Sequence, residues 1–381
     1  MTKNKKKIIV AMSGGVDSSV AAKLLKDQGY ELMGIFLHFW KDSGSSEAEN
    51  KGCSMSALQD ARRVCQKIGI PLYTLNFSEI FKKQVVDNFL DEYESGRTPN
   101  PCVRCNKLVK LGLLIDKAKE LGFSHVASGH YARLEREFPI SNFQFQNKIP
   151  ALPAGRQFPN KNQKFKLLRG KDKTKDQSYF LWNLSQEQLK HLLFPLGNYT
   201  KTEVRRLARK FNLPVATKSE SQEVCFIPEK SHNEFLKRNI KMKSGPILTL
   251  GGKKVGEHQG LPLYTVGQRR GIEIGGVGPF YAVRMDYKKN ILYVIGERDD
   301  PVLFTRQFKI KNVSWISKKE PKIPSKCDVV IRYRHLPVKC EIKKQGERHL
   351  VNLENSQRAV TPGQSAVFYI KDEVIGGGII A

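Results

Sequence analysis

Residues 8–20 constrain the fold more than any other stretch of this chain. They read Ile-Ile-Val-Ala-Met-Ser-Gly-Gly-Val-Asp-Ser-Ser-Val. An apolar run of strand type enters a Ser-Gly-Gly turn, and a helical pattern starts at once. The two glycines allow a tight turn and a close approach of backbone to ligand. Free N–H groups and the positive end of the helix dipole converge there, so the loop predicts an anion site. Ser13, Ser18 and Ser19 add hydroxyl donors. The P-loop is excluded because no Lys-Ser/Thr follows the glycines. The dinucleotide fingerprint is excluded because its third glycine is missing. An ordinary Gly-Ser turn uses the same residue types, but the strict order of strand, loop and helix argues for a phosphate cradle.

The same alternation continues to about residue 130. Strands are expected at 8–12, 32–39, 71–76 and 125–128, and helices at 18–28, 56–68, 79–93 and 106–121. This order predicts an α/β fold with a doubly wound parallel sheet. Ligands in such sheets sit at the carboxyl ends of the strands. The loops after Met12, Leu37 and Ser128 are therefore expected to share one crevice.

Residues 135–164 break the pattern and read as an insertion loop, and across 135–175 ten Lys and Arg stand against three Asp and Glu. Helical patterns resume at 185–191 and 202–211. From about Pro246 the texture becomes short strands between Gly and Pro turns, including 281–285, 291–295, 329–333, 349–353 and 365–370. That spacing suggests small all-β units, barrel-like or sandwich-like. Three domains are expected: 1–218, a linking β-rich domain over 219–291, and a C-terminal β-barrel-like domain over 292–381.

A chain of 381 residues has room for those domains. No apolar run is long enough to cross a membrane, and the basic N-terminus leads into a strand rather than an apolar signal region. Seven cysteines, an odd number scattered along the chain, point to a reducing, cytoplasmic setting and thiol chemistry rather than a disulfide framework. The net charge of +28 favours polyanionic partners.

Residues 96–107 read Gly-Arg-Thr-Pro-Asn-Pro-Cys-Val-Arg-Cys-Asn-Lys. Cys102 and Cys105 precede the helix expected from Asn106. A thiol at a helix start, beside Arg97, Arg104 and Lys107, is expected to have a lowered pKa. A zinc half-site is the other reading of Cys-x-x-Cys, with Cys53 and Cys65 as distant partners. No metal site is expected from that spacing. Cys225, in Glu-Ser-Gln-Glu-Val-Cys-Phe-Ile, reads on its own as a buried structural cysteine.

The Ser-Gly-Gly-x-Asp-Ser loop resembles the pyrophosphate loop of the N-type ATP pyrophosphatases, of adenine nucleotide α-hydrolase-like fold. With it, in one order, come Gly-Arg-Thr-Pro-Asn-Pro-Cys-Val-Arg-Cys-Asn, Ala-Ser-Gly-His-Tyr-Ala (127–132), Lys-Asp-Gln-Ser-Tyr-Phe-Leu (175–181), Glu-Ser-Gln-Glu-Val-Cys-Phe-Ile (220–227) and Gly-Glu-His-Gln-Gly…Tyr-Thr-Val-Gly-Gln-Arg-Arg-Gly (256–271). The ordered set closely resembles the tRNA-specific 2-thiouridylases over nearly the whole chain.

The resemblance implies a tRNA-uridine 2-sulfurtransferase that uses ATP with Mg2+. The 2-oxygen of the wobble uridine would be adenylated, and a persulfide on Cys225 would deliver sulfur. Cys105 would be the nucleophile that forms a transient disulfide with Cys225. The partners implied are tRNA and a persulfide donor, either a sulfur relay protein or a cysteine desulfurase. The nucleotide-binding positions map onto Ala11, Met12, Ser13, Gly14, Gly15, Val16, Asp17, Ser18, Leu37 and Gly129. Asn100, Pro101 and Cys102 match the loop beside the target base. His130, Lys175, Asp176, Gln177, Arg332, Tyr333 and Gln364 match tRNA-contacting positions. Some members carry an acidic residue at the place of Cys102, which leaves it a base or a spectator. Competing readings are an ATP pyrophosphatase-type ligase on a small substrate and a tRNA-binding protein without catalysis.

Overall fold

The computed structural model describes residues 6–41, 54–137, 164–219, 224–227, 232–272, 274, 279–323, 325–346 and 348–381. In β1 (Lys7–Met12) every residue after Lys7 is buried, as a central strand covered on both faces requires. It pairs in parallel with β2 (Glu31–His38), which pairs with β3 (Leu72–Asn76). On its other side lies β4 (His125–Ala127), also parallel. Alternate residues of β1 serve two cores. Ile8, Val10 and Met12 meet Val16 and Val20 of α1 (Val16–Asp27) and Ala57 and Val64 of α2 (Met55–Ile68). Ile9 and Ala11 face a second core with Val109, Leu111 and Val126. This is the doubly wound sheet that the sequence predicts.

The cysteine-bearing helix starts earlier than Asn106. α3 (Pro101–Cys105) has Pro101 at its first position and runs on through wider turns at Asn106–Leu113 into Leu114–Glu120. Proline presets the helical φ and costs no hydrogen bond there, so the start falls at Pro101. Cys102 and Cys105 are thus inside the helix, not ahead of it.

The irregular stretch at 135–164 has paired ends. β5 (Ala132–Glu137) and β6 (Lys164–Arg169) form an antiparallel hairpin, and residues 138–163 lie outside the described ones. The N-terminal sheet is completed by β7 (Leu192–Leu193), giving the order β3-β2-β1-β4-β7. α4 (Lys201–Lys210) follows, with a capping box between Thr200 and Glu203.

The linking unit opens with α5 (His232–Asn239). It carries β8 (Gly245–Thr249), β9 (Lys254–His258), β10 (Tyr281–Asp286) and β11 (Ile291–Ile295) in the order β10-β11-β8-β9. A boundary at 291/292 therefore cuts the first residue from β11, and this sheet runs to Ile295. The last unit comprises β12 (Phe304–Trp315), β13 (Ser325–Val330), β14 (Val338–Gln345), β15 (Arg348–Arg358), β16 (Ser365–Ile370) and β17 (Glu373–Ile380). Pairing of β12 with both β15 and β17 closes it into a six-stranded barrel. The start of β17 also pairs with β6, so the β5–β6 hairpin extends the barrel wall. The strand expected at 329–333 ends at Val330, which places Arg332 and Tyr333 just past it.

Candidate active site

The Ser-Gly-Gly loop packs as a cradle. Gly14 has φ +69° and an added Cβ would lie 2.1 Å from the Ala57 carbonyl oxygen, so only glycine fits. The Ser18 hydroxyl accepts from the Ser13 N–H at 3.2 Å and donates to the Gly15 carbonyl at 3.1 Å. Ser19 donates to the same carbonyl at 2.8 Å. Gly129, in the loop after β4, presses on the start of α1, where a Cβ would sit 2.8 Å from the Ser18 nitrogen. Leu37 is buried and lies one residue beyond Phe36, the register partner of Met12. The three strand ends meet where the doubly wound topology places a ligand.

Two cations reach this loop from far along the chain. Lys201 Nζ lies 2.7 and 2.8 Å from the carboxylate oxygens of Asp17, and the Tyr131 hydroxyl donates to Asp17 at 2.7 Å. Lys218 Nζ donates to the Gly14 carbonyl at 3.1 Å and to Asp60 at 2.6 Å.

The thiols sit in unlike surroundings. Cys105 is buried in the core that also holds Val103 and Val109. Cys102 is half-buried, and burial raises its thiol pKa against a smaller opposing effect of Lys110. The expected lowering does not occur at Cys102, because the neighbouring cations are engaged elsewhere. Arg97 pairs with Glu92, Arg104 donates to the carbonyl and side chain of Gln84, and Lys107 donates to Asn183 at 2.8 Å. Cys225 is exposed, contrary to the buried cysteine its sequence suggests. Its neighbour Phe226 takes the buried place instead, with ring centroids 5.3 to 5.7 Å from Phe89, Phe81 and Phe235. Burial pushes the Cys65 thiol up to about 12. Among the described residues no cluster of three His, Cys, Asp or Glu is placed to hold a metal ion, and Cys53 lies outside them.

Many of the remaining candidate positions serve as internal supports. Asn100 hydrogen bonds to Tyr179, whose hydroxyl donates to the Ser365 carbonyl at 2.9 Å. His130 is buried, with Nδ1 2.6 Å from the Ser128 hydroxyl, and burial holds its pKa well below the ordinary value. Asp176 is buried and accepts from the Gly170 and Ser178 N–H groups, each at 3.0 Å. Gln177 is bonded through side chain and backbone to Tyr131. The backbone N–H of Lys175 donates to the Asp172 carbonyl at 3.2 Å. Arg332 is exposed yet donates to Thr361 at 3.0 Å, and Tyr333 packs on Phe180 with centroids 4.4 Å apart. Gln364 donates to the Thr98 carbonyl at 2.8 Å.

Comparison with known proteins accounts for this layout. Residues 6–229 match the tRNA methyl transferase HUP domain, 233–296 the tRNA methyl transferase PRC-barrel domain, and 305–380 the aminomethyltransferase beta-barrel domain. The tRNA-specific 2-thiouridylase MnmA 2 of Clostridium tetani is 43% identical over 99% of this chain and 99% of its own length. The tRNA-specific 2-thiouridylase MnmA of Geobacter metallireducens is 44% identical over 99% of this chain and 97% of its own. The chain belongs to the tRNA-specific 2-thiouridylases. It is a sulfurtransferase that modifies tRNA. Among the described residues of this 2-thiouridylase no helix is long and apolar enough to cross a membrane.

Several pairings in this candidate site carry no sequence signal, even where the residues themselves lie in motifs. Lys201 and Tyr131 meet Asp17 across 184 and 114 residues. Thr98 sits in a motif, but its partners Thr265 and Pro362 come from two other units. Only the Thr200–Glu203 capping box next to Lys201 is legible locally.

Proposed function

We propose that this 2-thiouridylase adenylates the wobble uridine with ATP and then relays sulfur through Cys225 and Cys105. The observation that carries the reading is the cradle Ser13–Ser18 at the start of α1. It offers the N–H groups of the first turn of α1 to a pyrophosphate, on a loop whose shape the Ser18 and Ser19 hydroxyls hold through the Gly15 carbonyl, and it has no P-loop lysine. Ala11, Met12, Leu37 and Gly129 would line the nucleotide side of the crevice, and Mg2+ carried on the ATP phosphates would neutralise part of their charge.

The uracil 2-oxygen attacks the α-phosphorus, and pyrophosphate leaves. A donor protein, either a sulfur relay protein or a cysteine desulfurase, has already placed a persulfide on Cys225. The terminal persulfide sulfur attacks C2, and AMP departs with the former uracil oxygen. The Cys105 thiolate then attacks Cys225 Sγ. That S–S bond breaks, its electron pair stays on the sulfur now bound to C2, and a Cys105–Cys225 disulfide remains. A dithiol reductant resets the enzyme. Asn100, Pro101 and Cys102 flank the base, and His130, Lys175, Asp176, Gln177, Arg332, Tyr333 and Gln364 form or support the tRNA side. The exposed thiol of Cys225 suits loading by a protein donor, and the buried thiol of Cys105 suits a later, shielded step.

The test follows ATP labelled at the α-phosphate, with and without tRNA, and wobble uridine by mass spectrometry. AMP and pyrophosphate that form only with tRNA, with 2-thiouridine in the product, support the reading. ADP as sole nucleotide product rejects it.

A further inference from the structure

The chain enters α3 through a junction of three units. Thr98, just ahead of the helix, has both backbone polar groups held by the barrel. Its N–H donates to the Pro362 carbonyl at 2.9 Å, and its carbonyl accepts from Gln364 Nε2 at 2.8 Å. The same Nε2 lies 3.5 Å from the Pro99 carbonyl. Gly363 sits between these contacts with φ +91°, where a Cβ would fall 2.8 Å from the Thr98 nitrogen. The barrel turn 361–364 is therefore moulded on Thr98.

The linking unit supplies the third side. Thr265 Oγ1 is 3.0 Å from Thr98 Oγ1. Gln268 fixes that turn by accepting from the Thr265 N–H at 3.0 Å. Gly267 meets the barrel, where a Cβ would sit 2.5 Å from that of Ala359. The Tyr-Thr-Val-Gly-Gln motif, which has no part in the chemistry above, is the wedge between barrel and α3. Pro99 and Pro101 stiffen the few residues from Thr98 to Cys102, so a shift at Thr98 reaches the thiols.

We propose that Gln364 is a positioning residue for the thiol helix, acting through Thr98. The resemblance assigns Gln364 to tRNA contact, but here its amide donor is spent on the loop that aims Cys102 and Cys105. This rests on the reading of α3 as the thiol-bearing reactive helix.

The experiment compares the full-length wild type with Gln364→Met, which removes the donor and keeps a similar shape, and with Gly363→Ala, which pushes Thr98 instead of releasing it. Three quantities are read: single-turnover thiolation at saturating tRNA, tRNA affinity, and iodoacetamide labelling of Cys102 without RNA, quantified by peptide mass spectrometry. Thiolation should fall about tenfold, as misplacement of a reacting group implies. The affinity should stay within about twofold, since no phosphate contact is lost. Cys102 labelling should rise about fivefold, the low end of coupling between sites. Weaker tRNA binding with an unchanged saturating rate would overturn the proposal and assign Gln364 to RNA. Unchanged labelling in Gln364→Met would overturn it as well. Should Gly363→Ala not fold, Gln364→Met decides alone. A wild type that does not thiolate through Cys105 would reject the relay, while the labelling comparison still decides the clamp.

Discussion

Lys201 Nζ spans both carboxylate oxygens of Asp17, at 2.7 and 2.8 Å, across 184 residues of chain. Asp17 lies in the first turn of α1, next to the phosphate cradle, where a bare carboxylate would repel an incoming polyphosphate. Lys201 removes that repulsion. Lys201→Met should cost about 2 kcal/mol of stability, less than a fully buried pair because Asp17 is one-third exposed. ATP affinity should fall about tenfold through the uncovered like charge. Adding Asp17→Asn should recover most of both. Calorimetric unfolding and nucleotide titration of the two variants measure this, and a double variant no better than the single would refute the charge argument.

Burial raises the Cys102 thiol rather than lowering it. Cys102 is therefore protonated at neutral pH, and in the proposed reaction it would stand by the uracil as a neutral thiol rather than as a strong general base. Its labelling by iodoacetamide should climb steadily with pH and show no plateau below the ordinary thiol range. Cys102→Ala should lose less thiolation than Cys105→Ala. A labelling midpoint near neutrality would restore the base role.

How much of this was legible in the sequence depends on range. The cradle could be read because strand, glycines and helix are contiguous, and Ser365–Ile370 could be read because its alternation and flanking turns are local. The thiol environment could not. Arg97, Arg104 and Lys107 are neighbours of the cysteines in sequence, yet the fold turns each toward Glu92, Gln84 and Asn183. Cys225 misled in the opposite sense, since the apolar pattern that follows it buries Phe226 and leaves the thiol outside. The clamp on Thr98 joins residues 98, 265 and 364, each of which could be singled out in sequence although their meeting could not.

Stability should fall on mild acidification. Burial, helped by His191, Lys6 and Arg136, lowers the His125 pKa to about 4. Burial also holds His130 well below the ordinary value. A histidine whose folded pKa is depressed leaves the unfolded chain binding the extra proton, so its contribution is present above the unfolded pKa of about 6.5 and is lost as pH drops toward the folded value. The loss from His125 should run from about pH 6.5 to about pH 4. Thermal unfolding across that range should show a shallower slope in His125→Gln. An unchanged slope would place the acid sensitivity elsewhere.

The net charge of +28 should make tRNA binding strongly salt-dependent. Affinity should drop by about a hundredfold or more between 50 and 200 mM salt, as the release of several counterions requires. Arg332→Gln should reduce that slope only slightly, because its guanidinium is partly committed to the Ala359 carbonyl and Thr361. Filter-binding titrations at several salt concentrations measure both slopes. A flat dependence would deny the electrostatic account.

Phe226 separates the two jobs assigned to Cys225. The thiol is exposed, while the adjacent ring is buried among Phe81, Phe89 and Phe235. Loading needs only an accessible thiol, whereas transfer to uracil needs that thiol held in one place. Cys225→Ser should abolish both. Phe226→Ala should leave persulfide loading intact and slow single-turnover transfer about tenfold, because the anchor rather than the nucleophile is lost. The local packing loss is about 3 kcal/mol for a buried Phe→Ala change, and Phe226→Leu, which refills most of the space, should restore most of the transfer rate. Gel-shift detection of the persulfide and mass spectrometry of the uridine read the two steps separately. Equal loss of loading and transfer in Phe226→Ala would mean that the ring also presents Cys225 to the sulfur donor, and the separation of the two jobs would fail.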